Sequence, residues 1–205
     1  MKIAIIGATG NVGIRLVNEA LQRHHAVTAI ARDPSKLPAR RGLSGTTGDA
    51  TKPDQVLPLL KGHDAIISSL RFQSPNPTPQ QLIDLVRRSG VKRYLVVGGA
   101  ASLEIAPGQI LLNAPNFPPA YKPEASAGKA FLDALREVQD LDWTFLSPSA
   151  FFGPGERTGN FRLADNTLLT AADGKSHISY EDYAIAMLDE IENPKHLRAR
   201  FTVGY

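Results

Sequence analysis

Lys2-Ile3-Ala4-Ile5-Ile6-Gly7-Ala8-Thr9-Gly10-Asn11-Val12-Gly13 is the stretch on which the fold turns. A short apolar run enters three glycines. Val12, Leu16, Val17, Ala20 and Leu21 then recur at helical spacing. That order predicts a buried strand, a tight turn and the start of an amphipathic helix. Such a turn lets a backbone approach a phosphate closely, and the helix end supplies free N–H donors and a partial positive charge. A strand before and a helix after are the context a glycine triplet needs to carry this meaning. The segment therefore reads as a dinucleotide pyrophosphate site built from Gly7, Thr9, Gly10, Asn11, Val12 and Gly13.

The rest of the chain alternates in the same way. Strand-like runs fall at Ala26–Ala31, Gly45–Gly48, Ala65–Leu70, Arg93–Gly98, Trp143–Ser147 and Arg200–Val203. Helices are expected between them. Thr51, Thr78 before Pro79, and Ser179 stand as N-cap residues; Asp33 caps a short turn before Pro34. The fourth long helix is expected from about Pro123 to Val138. Alternation of this kind argues for α/β architecture, a doubly wound parallel sheet with helices on both faces and three layers deep. Two irregular stretches, 100–123 and 148–166, follow the fifth and sixth strands, where an open α/β sheet forms its ligand crevice.

Composition narrows the choices. The 205 residues fit one domain, 1–205, with a core that needs no staples. There is no cysteine, so no disulfide, thiolate nucleophile or cysteine-held metal forms. The formal charge is +3 and no basic run exceeds two residues, so nothing calls for nucleic acid. No apolar run reaches membrane-span length, and the first residues read as a strand rather than a signal peptide. These features predict a cytoplasmic protein with no membrane partner, working as a monomer or homodimer. No His/Asp/Glu spacing suggests a metal. No Gly-x-Ser-x-Gly elbow suggests a serine hydrolase.

The end of the second strand chooses between nicotinamide cofactors. An acid there binds the adenosine ribose, and an arginine accommodates the extra phosphate. Arg32 stands 22 positions after Gly10, at the expected distance, and Lys36 lies one turn on. Asp33 competes, but its capping role already accounts for it. A guanidinium suits both a phosphate and an adenine face. The expected cofactor is NADP(H) in preference to NAD(H). Asp49, with Ala50, has two roles open to it: accepting from the adenine amine, or starting a turn to Thr51. Ser69, Leu70 and Arg71 close the fourth strand beside the expected pyrophosphate and ribose.

Gly7-Ala8-Thr9-Gly10-Asn11-Val12-Gly13, Arg32, Gly48-Asp49 and the Ser68–Leu70 strand end together resemble the atypical short-chain dehydrogenase/reductases. Within them the chain is similar to the small NAD(P)H-binding proteins called NADH-flavin reductases, relatives of biliverdin IX-beta reductase. Pro154–Gly159, Ile178–Ala184 and Arg200–Tyr205 carry the same likeness. The resemblance spans essentially the whole chain. It implies a Rossmann-type sheet and NADPH-dependent reduction.

The active short-chain enzymes use a Tyr-x-x-x-Lys pair and a serine after the fifth strand. Lys129 falls near the lysine position, but Ala125 stands where the tyrosine belongs. Tyr121 is eight residues before Lys129, out of helical register with it, and Ser102 is the nearest serine. Ser102, Tyr121 and Lys129 are thus the catalytic candidates that the resemblance implies. Carbonyl reduction needs a positioned acid for the developing alkoxide. A flavin or quinone delocalises the incoming charge and depends more on placement against the nicotinamide. The broken pair therefore favours a planar acceptor, with FMN or FAD as a substrate. The alternative is a non-catalytic NADP(H)-sensing regulator, which the same broken pair allows. A nucleotide-sugar epimerase or dehydratase needs the tyrosine and a larger C-terminal lobe than about 60 residues supply.

Phe117, Phe151 and Phe152 in the two irregular stretches offer flat apolar walls for such an acceptor. Phe151 and Phe152 serve equally well as core anchors. Arg157 meets a flavin phosphate or clamps its loop. Among the histidines, only His177 is kept as a site candidate.

Overall fold

The computed structural model describes residues Met1–Tyr205. Its strands are β1 (Lys2–Ile6), β2 (Ala26–Ala31), β3 (Leu43–Thr47), β4 (Ala65–Ser68), β5 (Arg93–Val97), β6 (Glu104–Ala106), β7 (Gln109–Ile110), β8 (Asp142–Pro148), β9 (Phe151–Gly153), β10 (Arg162–Ala164), β11 (His177–Ser179) and β12 (Ala199–Gly204). Its α-helices are α1 (Asn11–Gln22), α2 (Pro53–Leu60), α3 (Pro79–Ser89), α4 (Lys122–Arg136) and α5 (Tyr180–Glu192).

Eight strands form one sheet in the order β10-β12-β8-β5-β4-β1-β2-β3. Every neighbouring pair is parallel except the edge pair β10–β12. The chain winds outward from β1 in one direction to β3 and then in the other through β4. This is the doubly wound Rossmann-type arrangement that the alternation predicts.

The two-residue period of β1 divides the core. Ile3 and Ile5 face α1 and α5, together with Leu16, Val17, Met187 and Leu188. Ala4 and Ile6 face the opposite layer, with Val56 of α2, Leu82 and Val86 of α3, and Phe131 and Leu132 of α4.

Local chemistry fixes the helix starts. Thr78 forms a full capping box: its Oγ1 accepts from Gln81 N at 3.3 Å, and its own N–H donates to Gln81 Oε1 at 2.9 Å. Gly90, at φ +81°, ends that helix in the left-handed conformation. Ser179 Oγ caps α5 by accepting from Asp182 N at 2.9 Å. Thr51 does not cap α2. Lys52 occupies the cap position, and the Thr51 hydroxyl donates to Asp49 Oδ1 at 2.7 Å instead. The nearer carboxylate outcompetes the helix end for that hydroxyl.

Other boundaries shift modestly. β3 starts two residues before the expected Gly45 and stops at Thr47, and β4 stops at Ser68. The two stretches read as irregular hold short strands. β6 and β7 make a small hairpin-like pair, β9 pairs with β11, and β10 adds the antiparallel edge. Each is only two or three residues long, too short to display a period.

One carboxylate ties the C-terminal half together. Asp182 is fully buried. It accepts from Thr158 N (2.8 Å), Gly159 N (2.9 Å), the Thr158 hydroxyl and the Tyr205 hydroxyl (2.8 Å). The 154–159 segment and the chain's last residue are thereby held against α5. Replacing Asp182 with alanine removes a buried acceptor that four donors share and opens a gap against α5. A loss of about 3 kcal/mol in unfolding free energy is expected in denaturant titration. Faster amide exchange at Thr158 and Gly159 should accompany it.

Candidate functional site

The carboxyl ends of the parallel strands open onto two adjoining cavities. The first, of about 340 Å³, lies over the ends of β1, β2, β3 and β4. Gly7, Thr9, Gly10, Arg32, Asp49, Ala50, Ser69, Leu70 and Arg71 line it. The second, of about 510 Å³, lies between β5, β8 and α4. Ser102, Phe117, Tyr121, Lys129 and Phe152 line that one. Arg71 belongs to both and marks their junction. Both fall within the size range of small-molecule and cofactor sites.

The glycines of the first cavity do different work. Gly7 sits at φ +82°, and a Cβ there would run into the Ser69 carbonyl oxygen. A Cβ on Gly13 would run into the Gly7 carbonyl oxygen. Gly13 itself does not line the cavity. It lets α1 press against the turn. Gly10 is the N-cap of α1 and supplies no side-chain cap. The N–H groups of the first turn are left for an anion, assisted by the helix dipole. Asn11 and Val12 also lie outside the lining. The Asn11 carbonyl accepts from Arg15 at 3.1 Å, and Val12 packs on the core.

At the end of β2, Arg32 reaches the cavity while Asp33 does not. Asp33 Oδ1 accepts from Ser35 N at 3.1 Å and from the Ser35 hydroxyl at 2.5 Å, as its capping role requires. Those bonds hold its carboxyl below the usual aspartate range. Lys36 is exposed in the following turn, outside the lining. Asp49 starts the turn to Thr51. One oxygen holds Thr51 N at 3.0 Å and the Thr51 hydroxyl, yet the residue still lines the cavity.

In the second cavity, glycine again sets the walls. A Cβ on Gly98 would strike the Phe145 ring, and one on Gly128 would stand 2.9 Å from the Phe72 ring. Lys129 Nζ is spent on Asp133 at 2.6 Å, one turn along α4. Tyr121 stands 67% exposed at the start of α4 and makes no bond to that lysine. Ala125 lines the cavity. No tyrosine–lysine pair exists here. Tyr183 supplies no replacement: its hydroxyl donates to the Leu146 carbonyl at 2.6 Å, and burial pushes its pKa far above the ordinary tyrosine value.

Phe151 and Phe152 part company because successive residues of β9 face opposite ways. Phe152 lines the cavity and packs against Tyr180 and Tyr183, at 4.7 and 4.6 Å between ring centroids. Phe151 is 69% exposed and faces a separate depression with His177. It is not part of the cleft. Nor is Arg157. Its guanidinium grips Glu19 with two bonds of 2.9 and 3.0 Å, on the α1 side of the molecule. The 154–159 segment folds back over α1 and α5, where Gly155 N donates to Glu181 at 2.9 Å. The flavin-phosphate role is thereby replaced by the loop clamp.

Some site residues escaped the sequence reading. Glu124 accepts from Phe72 N at 2.8 Å and Gln73 N at 3.2 Å, fixing the loop after β4 onto α4. Phe72 stacks at 6.1 Å on Phe145, beneath the cleft. An acid in a helix's first turn was the signal for Glu124; the partner loop was not visible.

An NAD(P)H-binding family model matches residues 7–194. YwnB of Bacillus subtilis, described as uncharacterized, is 38% identical over 213 residues, covering 99% of this chain and 98% of YwnB. A Bacteroides thetaiotaomicron structure provisionally described as an epimerase is 43% identical. It has a TM-score of 0.93 and covers 100% of this chain and 96% of that one. A Streptococcus pneumoniae structure provisionally described as an NADH-flavin reductase is 37% identical, with a TM-score of 0.81 and coverage of 100% and 99%.

The Arg157–Glu19 pair can be tested through pH. Burial would raise the Glu19 pKa, but the Arg157 and Arg23 bonds outweigh it and hold the carboxyl below its ordinary 4.5. A depressed carboxylate stabilises the fold above its unfolded value, and the effect is lost as pH falls through the folded one. Arg157→Ala should cost about 1 kcal/mol at neutral pH. The gap from wild type should close as pH falls below the ordinary carboxylate value and through the lowered Glu19 one.

Proposed function

The chain belongs to the NAD(P)H-binding family, and from that premise we propose an NADPH-dependent oxidoreductase that delivers hydride to a flavin, quinone or similar planar acceptor. One observation carries the reading. The cavity over the glycine turn shares Arg71 with a second, aromatic-walled cavity that holds no tyrosine–lysine pair.

The residues present fit the cofactor. Gly7 holds the tight turn at φ +82° on the cavity wall, where a Cβ would meet the Ser69 carbonyl, and α1 begins without a side-chain cap. The uncapped turn suits a pyrophosphate. Arg32 offers a guanidinium for the adenosine 2′-phosphate, while Asp33, the rival that would favour the unphosphorylated ribose, is engaged with Ser35. When bound, NADPH supplies a hydride from nicotinamide C4. Arg71 lies at the junction to neutralise phosphate or ribose-side charge. Phe117 and Phe152 orient a flat ring, and the cleft's open mouth gives water access for the final proton. Such a site works by placement, which alone is worth several kcal/mol of barrier.

No helix of the protein is long and apolar enough to cross a membrane. A reductase of this kind would act in the cytoplasm, where NADPH is available, as a monomer or homodimer. The missing acid also favours a second reading, an NADP(H)-sensing regulator without turnover.

NADPH consumption with FMN, FAD and a set of quinones decides between them. Acceptor-dependent oxidation supports the reductase. Tight, redox-selective NADP(H) binding with no turnover on any acceptor overturns it in favour of the sensor. Arg32→Ala should raise KM for NADPH by about tenfold or more, the worth of a charge-assisted bond, with little change for NADH. Equal losses for both cofactors would remove the NADPH preference.

A further inference from the structure

Behind the second cavity lies an arginine that the cofactor site does not use. Arg200, on β12, is only 8% exposed. It makes no ion pair. Its Nε and Nη2 donate to Asn166 Oδ1 at 2.9 and 2.6 Å, its Nη1 donates to Ser102 Oγ at 3.3 Å, and its Nη2 reaches the Ser102 carbonyl at 3.5 Å. Burial, helped by repulsion from Arg136, lowers its pKa to about 10, against the weaker pull of Glu104 and Asp165. The group is therefore still a cation at neutral pH. A buried cation without a carboxylate against it is costly, so its orientation has to be accounted for.

We propose that Arg200 is a positioning residue that presents Ser102 as the hydrogen-bond donor to the carbonyl oxygen of the acceptor. Ser102 lines the second cavity. Its Oγ accepts from Arg200 and gives its own proton to no group in the chain. A hydroxyl that accepts from a cation is polarised and donates more strongly. The other hydroxyls lining the cavity are differently placed. Ser149 spends its proton on the Val203 carbonyl at 3.1 Å, and Tyr121 stands exposed at the rim. Ser102 is thus the inward hydroxyl with an unspent proton.

The inference rests on the reductase reading and sharpens its substrate class to planar rings that bear a carbonyl. Hydride brings two electrons from the nicotinamide, which is oxidised, to the acceptor ring, which is reduced. The negative charge left behind resides largely on the ring carbonyl oxygen. Ser102 donates to that oxygen without losing its proton, and a solvent proton completes the reduction. A donor of this kind stabilises charge where it develops. Asn166 holds the other edge of the guanidinium, and its backbone is fixed in turn, since its carbonyl accepts from Glu104 N at 2.8 Å.

A double-mutant cycle on the full-length protein tests the wiring. Ser102→Ala should weaken FMN binding and lower kcat with a naphthoquinone by about tenfold each, the low end for loss of one oxyanion donor. Arg200→Gln should do the same, and the double variant should be no worse than either single one. NADPH affinity should be unchanged throughout, and Ser102→Thr, which keeps the hydroxyl, should restore kcat. Losses that add in the double variant, or an unaffected Ser102→Ala, overturn the proposal. If Arg200→Gln does not fold, the Ser102→Ala and Ser102→Thr pair decides across quinones whose reduced anions differ in basicity. The alanine deficit should grow with basicity, and a flat deficit overturns the role. The coupling in FMN binding does not depend on turnover. A coupled cycle without NADPH oxidation would defeat the reductase reading alone, while turnover with additive losses would defeat only the role of Arg200.

Discussion

The close approach of α1 to the end of β1 is the constraint on which the rest of the structure depends. Gly7 lies against the Ser69 carbonyl of the neighbouring strand end, and Gly13 lies against the Gly7 carbonyl. Neither contact leaves room for a methyl group. Together they pin the turn between β1 and β4, where the strand order reverses. The same approach sets how far α1 stands from the sheet, and so how Leu16, Val17 and Ala20 meet Ile3 and Ile5. A larger residue would have to lift the helix and lose core contact at once. Packing and ligand geometry are therefore one requirement at these positions.

A second layer of order comes from carboxylates on the α1 and α5 side. Asp182, Glu181 and Glu19 each take donors from the 154–159 segment, through backbone N–H groups or Arg157. The segment has little apolar content to bury. Charge-assisted bonds replace hydrophobic contact as the source of its order. Its path brings Phe152, just upstream, to the cleft wall while keeping Arg157 away from it.

How much of this was legible depends on the range over which each residue acts. Thr78, Ser179 and Asp33 signal locally, since a cap is read by the next two or three residues, and the structure has them capping. The glycine turn is legible because the strand-turn-helix unit carries its own geometry, and Arg32 reaches the cavity from the end of β2. Thr51 fails because Asp49, equally local, competes for the same hydroxyl. Phe151 fails because parity along a three-residue strand decides which neighbour faces in, and that strand had no visible period. Arg157 and Arg200 find partners 138 and 98 positions away, Glu19 and Ser102. No spacing rule reaches that far, and an arginine in isolation reads as a surface charge.

The site's chemistry follows from what its cations are committed to. Lys129 is balanced by Asp133 on the same helix and has no tyrosine beside it to activate. A neutral tyrosine acid in this cavity would need such a lysine to lower its pKa toward the working range. Arg200 is buried with no carboxylate against it, and it faces a serine rather than a tyrosine. Serine is too weak an acid to surrender its proton, but it can hold a developing oxyanion. On the proposed reading, such a site would take acceptors whose reduced form is already a stabilised anion in preference to simple ketones, whose alkoxides demand full proton transfer.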